Sequence, residues 1–122
     1  PNEHITSDIV NKVEYLYHAT PSLYVGRIMK YGLVPKAKNK LFQYPDRIYL
    51  ITVCDENLFK SLKVVNSINK NTGTTYSVLR INVNSLPDNI TFYKDNDYVN
   101  GVFTYDNISP DAIEIYKEDV EL

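Results

Sequence analysis

Few side chains in this 122-residue sequence carry chemistry that could make or break a bond. The best placed is His18, in Tyr17-His18-Ala19-Thr20 at the end of an apolar run. An imidazole there can orient a ligand or carry a proton, although a histidine at a strand end, read alone, is more often a hydrogen-bonded structural group. Tyr49, inside Ile48-Tyr49-Leu50-Ile51, reads alone as a core tyrosine. Cys54 has no second cysteine to pair with, and at the end of that apolar run it reads as a small buried hydrophobe rather than a nucleophile. Three kinds of motif are missing: GxxxxGK[ST] and GxGxxG loops, a GxSxG elbow, and Cys or His pairs at metal-ligand spacing. Triphosphate, Rossmann, serine-hydrolase and zinc chemistries lose support accordingly, and no metal is expected.

Charge and aromatic content narrow the ligand. The net charge of −2 argues against a general nucleic-acid binder, but it is unevenly spread. From Arg27 to Arg47 six basic residues stand against the single acid Asp46, a local +5 that leaves −7 for the rest. That stretch suits either a solvated surface or one phosphate-bearing partner. Eleven tyrosines and no tryptophan suit a pocket for a planar ligand, since tyrosine joins a stacking face to a hydroxyl.

The elements that must position these groups can be read from the pattern. Val13 to Ala19 reads as a strand, with Thr20 as N-cap and Pro21 as first residue of a helix. That helix runs over Ser22 to Tyr31, with Val25, Ile28 and Met29 on one face and Gly32 as its left-handed stop. After the basic loop Lys36 to Pro45, residues Arg47 to Val53 read as a strand, and Asp55 caps a second helix running to about Ile68. Strands are expected over Tyr76 to Val83, Ile90 to Tyr93, Tyr98 to Tyr105 and Ala112 to Tyr116. Two short helices early and hairpin-like strands late predict an α+β fold rather than a doubly wound parallel sheet. The length and 43% hydrophobic content predict one domain over residues 1–122. No apolar run spans a bilayer and Pro1-Asn2-Glu3-His4 is no secretory signal, so no membrane partner and a cytoplasmic, reducing setting are expected.

Taken in order, three segments resemble the ADP-ribosyltransferase superfamily. Tyr15-Leu16-Tyr17-His18-Ala19-Thr20, the helix, and Tyr31-Gly32-Leu33-Val34-Pro35 resemble its first motif, H-x-[ST] followed by a helix and a G-L element. Arg47-Ile48-Tyr49-Leu50 looks like its second motif, an apolar strand with a central Tyr or His. Asn100-Gly101-Val102-Phe103-Thr104-Tyr105-Asp106 through Pro110-Asp111-Ala112-Ile113 is similar to the N-G-V strand and P-x-x-I of RNA 2′-phosphotransferases. It also resembles the matching strand of DNA-modifying ADP-ribosyltransferase toxins. The likeness covers about Tyr15 to Tyr116 and implies a split β-sheet core without the extra N-terminal domain of the RNA phosphotransferases.

The resemblance implies NAD as substrate, held in the cleft of the split sheet, and no metal. His18 would hydrogen-bond a ribose hydroxyl, Ala19 and Thr20 would fix carboxamide and ribose, and Tyr49 would stack on nicotinamide. Arg27 and the basic loop would meet the pyrophosphate or a phosphorylated acceptor, and Phe42 and Tyr44 would form one wall. Asn100 and Gly101 occupy the third motif, where transferases usually carry an acidic or amide group that Gly101 lacks. Asn100, Asp97, Asp95 and Asp106 are the nearest substitutes. Tyr49 stands where the phosphotransferases prefer His. The implied function is an NAD-dependent transferase that moves ADP-ribose to a protein or nucleic-acid acceptor, or removes an RNA 2′-phosphate. The alternative is a catalytically inactive module on the same fold that binds NAD, ADP-ribose or a protein, for example an inhibitor.

Overall fold

A computed structural model of the chain describes residues 7–35, 47–66 and 73–122. Its elements are α1 (Ser7–Asn11), β1 (Tyr15–Pro21), α2 (Val25–Tyr31), β2 (Ile48–Ile51), α3 (Glu56–Asn66), β3 (Thr75–Asn82), β4 (Tyr93–Lys94), β5 (Gly101–Thr104) and β6 (Ile113–Glu121). The strands form one six-stranded sheet in the order β4-β5-β2-β1-β3-β6, every pairing antiparallel. The fold is therefore α+β, with the helices short.

Strand alternation sorts the core into two clusters. On one face Leu16, Leu50, Leu79, Ile81 and Val102 pack with Val25 and Ile28 of α2 and Val10 of α1. On the other, Ile51, Tyr76 and Val78 pack against Phe59 of α3, with Tyr17, Ala19 and Leu58 at the margin. β3 contributes buried residues to both faces, which is why its sequence alternates so weakly.

Gly32 ends α2 with φ +86° and donates its N–H to Ile28 O at 2.7 Å. A Cβ there would sit 2.3 Å from Ile108 O, because Leu33 and Ile108 exchange both backbone bonds beside it. Asp55 caps α3 as its sequence predicts, accepting Leu58 N–H at 3.0 Å.

Three local expectations change. β1 continues through Thr20 and Pro21, which pair with Ser77 and Tyr76, so Thr20 is a ladder residue and not an N-cap. A 3-10 turn, Ser22–Tyr24, then leads into α2. The late strands do not form a series of hairpins. Of the strands consecutive in the chain from β3 on, only β4 and β5 pair, while β5 returns to β2 and β6 crosses to the far edge beside β3. The predicted basic loop lies outside the described residues, as do Phe42, Tyr44 and the predicted end of the second helix.

The sheet is uneven in its pairing. β1 and β3 are in register from Tyr15–Asn82 to Pro21–Tyr76, and β2 and β5 from Ile48–Thr104 to Ile51–Gly101. Between β1 and β2 the ladder register is only Tyr17–Ile51. The triplets β4-β5-β2 and β1-β3-β6 thus meet at one narrow join, Tyr17–Ile51.

Candidate functional site

His18 stands one residue beyond that join, where β1 and β2 have stopped pairing. Its Nδ1 lies 2.7 Å from the carbonyl oxygen of Tyr49. A carbonyl can only accept, so the ring proton is on Nδ1 and Nε2 is the acceptor nitrogen of the neutral ring. The side chain thus replaces a ladder hydrogen bond and ties the first predicted motif to the second.

Alternation places Tyr49 on the face opposite Leu16 and Leu50, alongside Arg47, Phe103, Tyr105 and Tyr93. The register sets Tyr49 across from Phe103, with ring centroids 6.0 Å apart, and Tyr93 stacks on Phe103 at 5.5 Å. The guanidinium of Arg47 lies 4.1 Å over the Phe103 ring and 5.5 Å from that of Tyr105. Burial pushes the Tyr49 hydroxyl above its ordinary value, opposed by the charge of Arg47 and by its hydrogen bond to the hydroxyl.

The same face carries a carboxylate. Gly101 is opposite Ile51, and a Cβ on it would stand 2.9 Å from Asp95 Cβ and 3.2 Å from both Asp95 Oδ2 and Tyr98 Cβ. Asp95 is only 8% exposed. Its Oδ1 accepts Asp97 N–H at 2.9 Å, and its own N–H donates to Gly101 O at 3.0 Å. Burial raises the Asp95 carboxyl above the usual carboxylate range, against the lowering by the Asp97 N–H and the charges of Arg47 and Lys94.

The remaining predicted residues divide. Ala19 shares the Tyr49 face but packs against the Ile51–Phe59 cluster. Thr20 shares the Leu16 face with His18 and is only 5% exposed, so its hydroxyl is directed into the core. Arg27 is exposed on α2, the helix that packs on that same face. Asn100 is exposed, and its carbonyl accepts Thr52 N–H at 3.0 Å. The structure thus brings His18 and Tyr49 together through the Tyr49 backbone, and Tyr49, Arg47, Gly101 and Asp95 together on one face. Thr20, Arg27 and, by strand alternation, the His18 side chain lie on the other. The aromatic lining was legible as a period-two pattern in Arg47-Tyr49 and Phe103-Tyr105. Singling out Asp95 from its neighbours required the close approach at Gly101.

Among the described residues no group of His, Cys, Asp or Glu is arranged to hold a metal ion. Nor, among them, is any helix long and apolar enough to cross a membrane. No protein-family model matches the chain, and no curated protein matches it either.

Proposed function

We propose that the protein is an NAD-dependent transferase of ADP-ribosyltransferase type, moving ADP-ribose to a macromolecular acceptor or removing an RNA 2′-phosphate. The observation that carries this reading is the 2.7 Å bond from His18 to the Tyr49 carbonyl at the point where the two half-sheets part. It couples the two residues that the motif resemblance assigns to ribose and nicotinamide. The split sheet that the resemblance implies has its counterpart in the narrow β1–β2 join.

In this reading the chain works by positioning. His18, held by its Nδ1 bond to the Tyr49 carbonyl, is the group the motif resemblance assigns to a ribose hydroxyl. Tyr49, its ring backed by Phe103, offers a flat apolar surface to the nicotinamide. Breaking the bond between ribose and nicotinamide places positive charge on the sugar, and a fixed, partly dry environment stabilises that charge without reorganising as the charge forms.

The test is nicotinamide release from NAD, followed by chromatography, with protein extract, mixed-sequence DNA and 2′-phosphorylated RNA supplied as acceptors. Wild type is expected to turn over with at least one of them, and His18→Ala to lose about 10²-fold or more while staying folded. No nicotinamide from wild type with any acceptor overturns the reading.

A further inference from the structure

We propose that Asp95 is the general base of this site and that the acceptor is a neutral hydroxyl or amine, not a phosphate. This rests on the transferase reading above and goes past it by choosing between its two acceptor chemistries.

The carboxylate is built in rather than incidental. Asp95 comes from the end of β4, yet its side chain folds over Gly101 on β5, where any side chain would displace it. One oxygen, Oδ1, is fixed by the Asp97 N–H, which leaves Oδ2 as the oxygen nearest Gly101. A third-motif acid would project from residue 101, and Asp95 delivers a carboxylate to the same spot from the neighbouring strand. Gly101 is what makes room for it.

The surrounding charges favour a neutral nucleophile. The charged and titratable groups around Asp95 are Arg47 and Tyr49 on β2 and its flank, Lys94, Asp97, and Tyr98 packed on Gly101. The charge of Arg47 acts on the Asp95 carboxylate, so the positive field an incoming phosphate needs is partly offset at this position. A hydroxyl or amine needs the opposite: an acceptor for the proton it sheds as it bonds to the sugar. Burial, which lifts the Asp95 carboxyl above the ordinary range, makes it a stronger base than a solvated aspartate.

The step balances. The bond from ribose C1′ to the nicotinamide nitrogen breaks and its electron pair leaves with neutral nicotinamide. The acceptor oxygen or nitrogen forms the new bond to C1′ and passes its proton to Asp95 Oδ2, from which it reaches solvent.

The experiment compares wild type and Asp95→Asn with labelled NAD and four acceptors: water, mixed-sequence DNA, protein extract and RNA bearing an internal 2′-phosphate. Asparagine keeps an oxygen for the Asp97 N–H. Wild type is expected to use one of the neutral acceptors, and Asp95→Asn to lose about 10²–10⁴-fold in that transfer with NAD affinity changed less than about threefold. Full activity of Asp95→Asn, or wild-type turnover with the 2′-phosphate alone, overturns the proposal while leaving the transferase reading intact. No turnover with any acceptor overturns both. Should the variant not fold, the wild-type pH profile decides: transfer falls at low pH as Asp95 protonates, above the ordinary aspartate value, and a profile flat through the acid range contradicts the proposal.

Discussion

Replacing Gly101 with alanine tests the arrangement at its tightest point. The added Cβ would stand 2.9 Å from Asp95 Cβ and 3.2 Å from Tyr98 Cβ, well inside ordinary contact. Asp95 cannot simply swing away. Its N–H is bonded to Gly101 O at 3.0 Å and its Oδ1 to Asp97 N–H at 2.9 Å, so relief requires moving the β4–β5 pair. Overpacking of this kind costs about 1–3 kcal/mol. Gly26 is the control: it lies exposed within α2, and a Cβ there meets nothing within 4 Å. Gly26→Ala should stabilise by about 0.5–1 kcal/mol through helix propensity. The two variants are expected to move urea midpoints in opposite directions and to differ by about 1.5–4 kcal/mol, or roughly 5–15 °C in Tm. A Gly101→Ala protein as stable as wild type would refute the packing of Asp95 on Gly101.

Other outcomes follow from the same contacts. Asp55→Ala removes the oxygen that caps α3 and should cost about 1 kcal/mol in urea unfolding, whereas Asp55→Asn should cost much less. Because the folded state raises the Asp95 carboxyl, it binds more protons than the unfolded chain between the ordinary aspartate value and the folded one. Asp95 therefore lowers stability as pH rises through that window, and Asp95→Asn should gain on wild type as pH rises above the ordinary aspartate range in paired urea titrations. Tyr49→Phe keeps the ring opposite Phe103 and should hold NAD within about threefold, while Tyr49→Ala should weaken it about tenfold by calorimetry.

The α+β class, the capping of α3 by Asp55 and the stop at Gly32 were legible because each depends on local chemistry: periodicity, a side-chain oxygen, a positive φ. Sheet order was not. β4 and β5 read as hairpin partners because they lie close in the chain, but the place of β6 beside β3 depends on long-range matching of apolar faces that a single sequence does not reveal. Thr20-Pro21 misled for a related reason. The pair has the chemistry of a helix start, yet the ladder to Ser77 and Tyr76 holds both residues extended. At the site, His18 and Tyr49 stood out by type and neighbours. Asp95 stood as one of four nearby polar groups until Gly101 and its approach distances separated it from the others.

In the proposed transferase NAD binds where the half-sheets part, over Tyr49 and Asp95 on one face and along the join that His18 makes with the Tyr49 carbonyl. At 14.1 kDa the chain suits backbone amide NMR, and a titration with NAD tests the claim without any acceptor. Saturable shifts confined to residues 17–20, 47–51 and 94–103 are expected, with their loss in His18→Ala. Absence of shifts at millimolar NAD, or shifts centred on α3 and β6, would contradict that binding site.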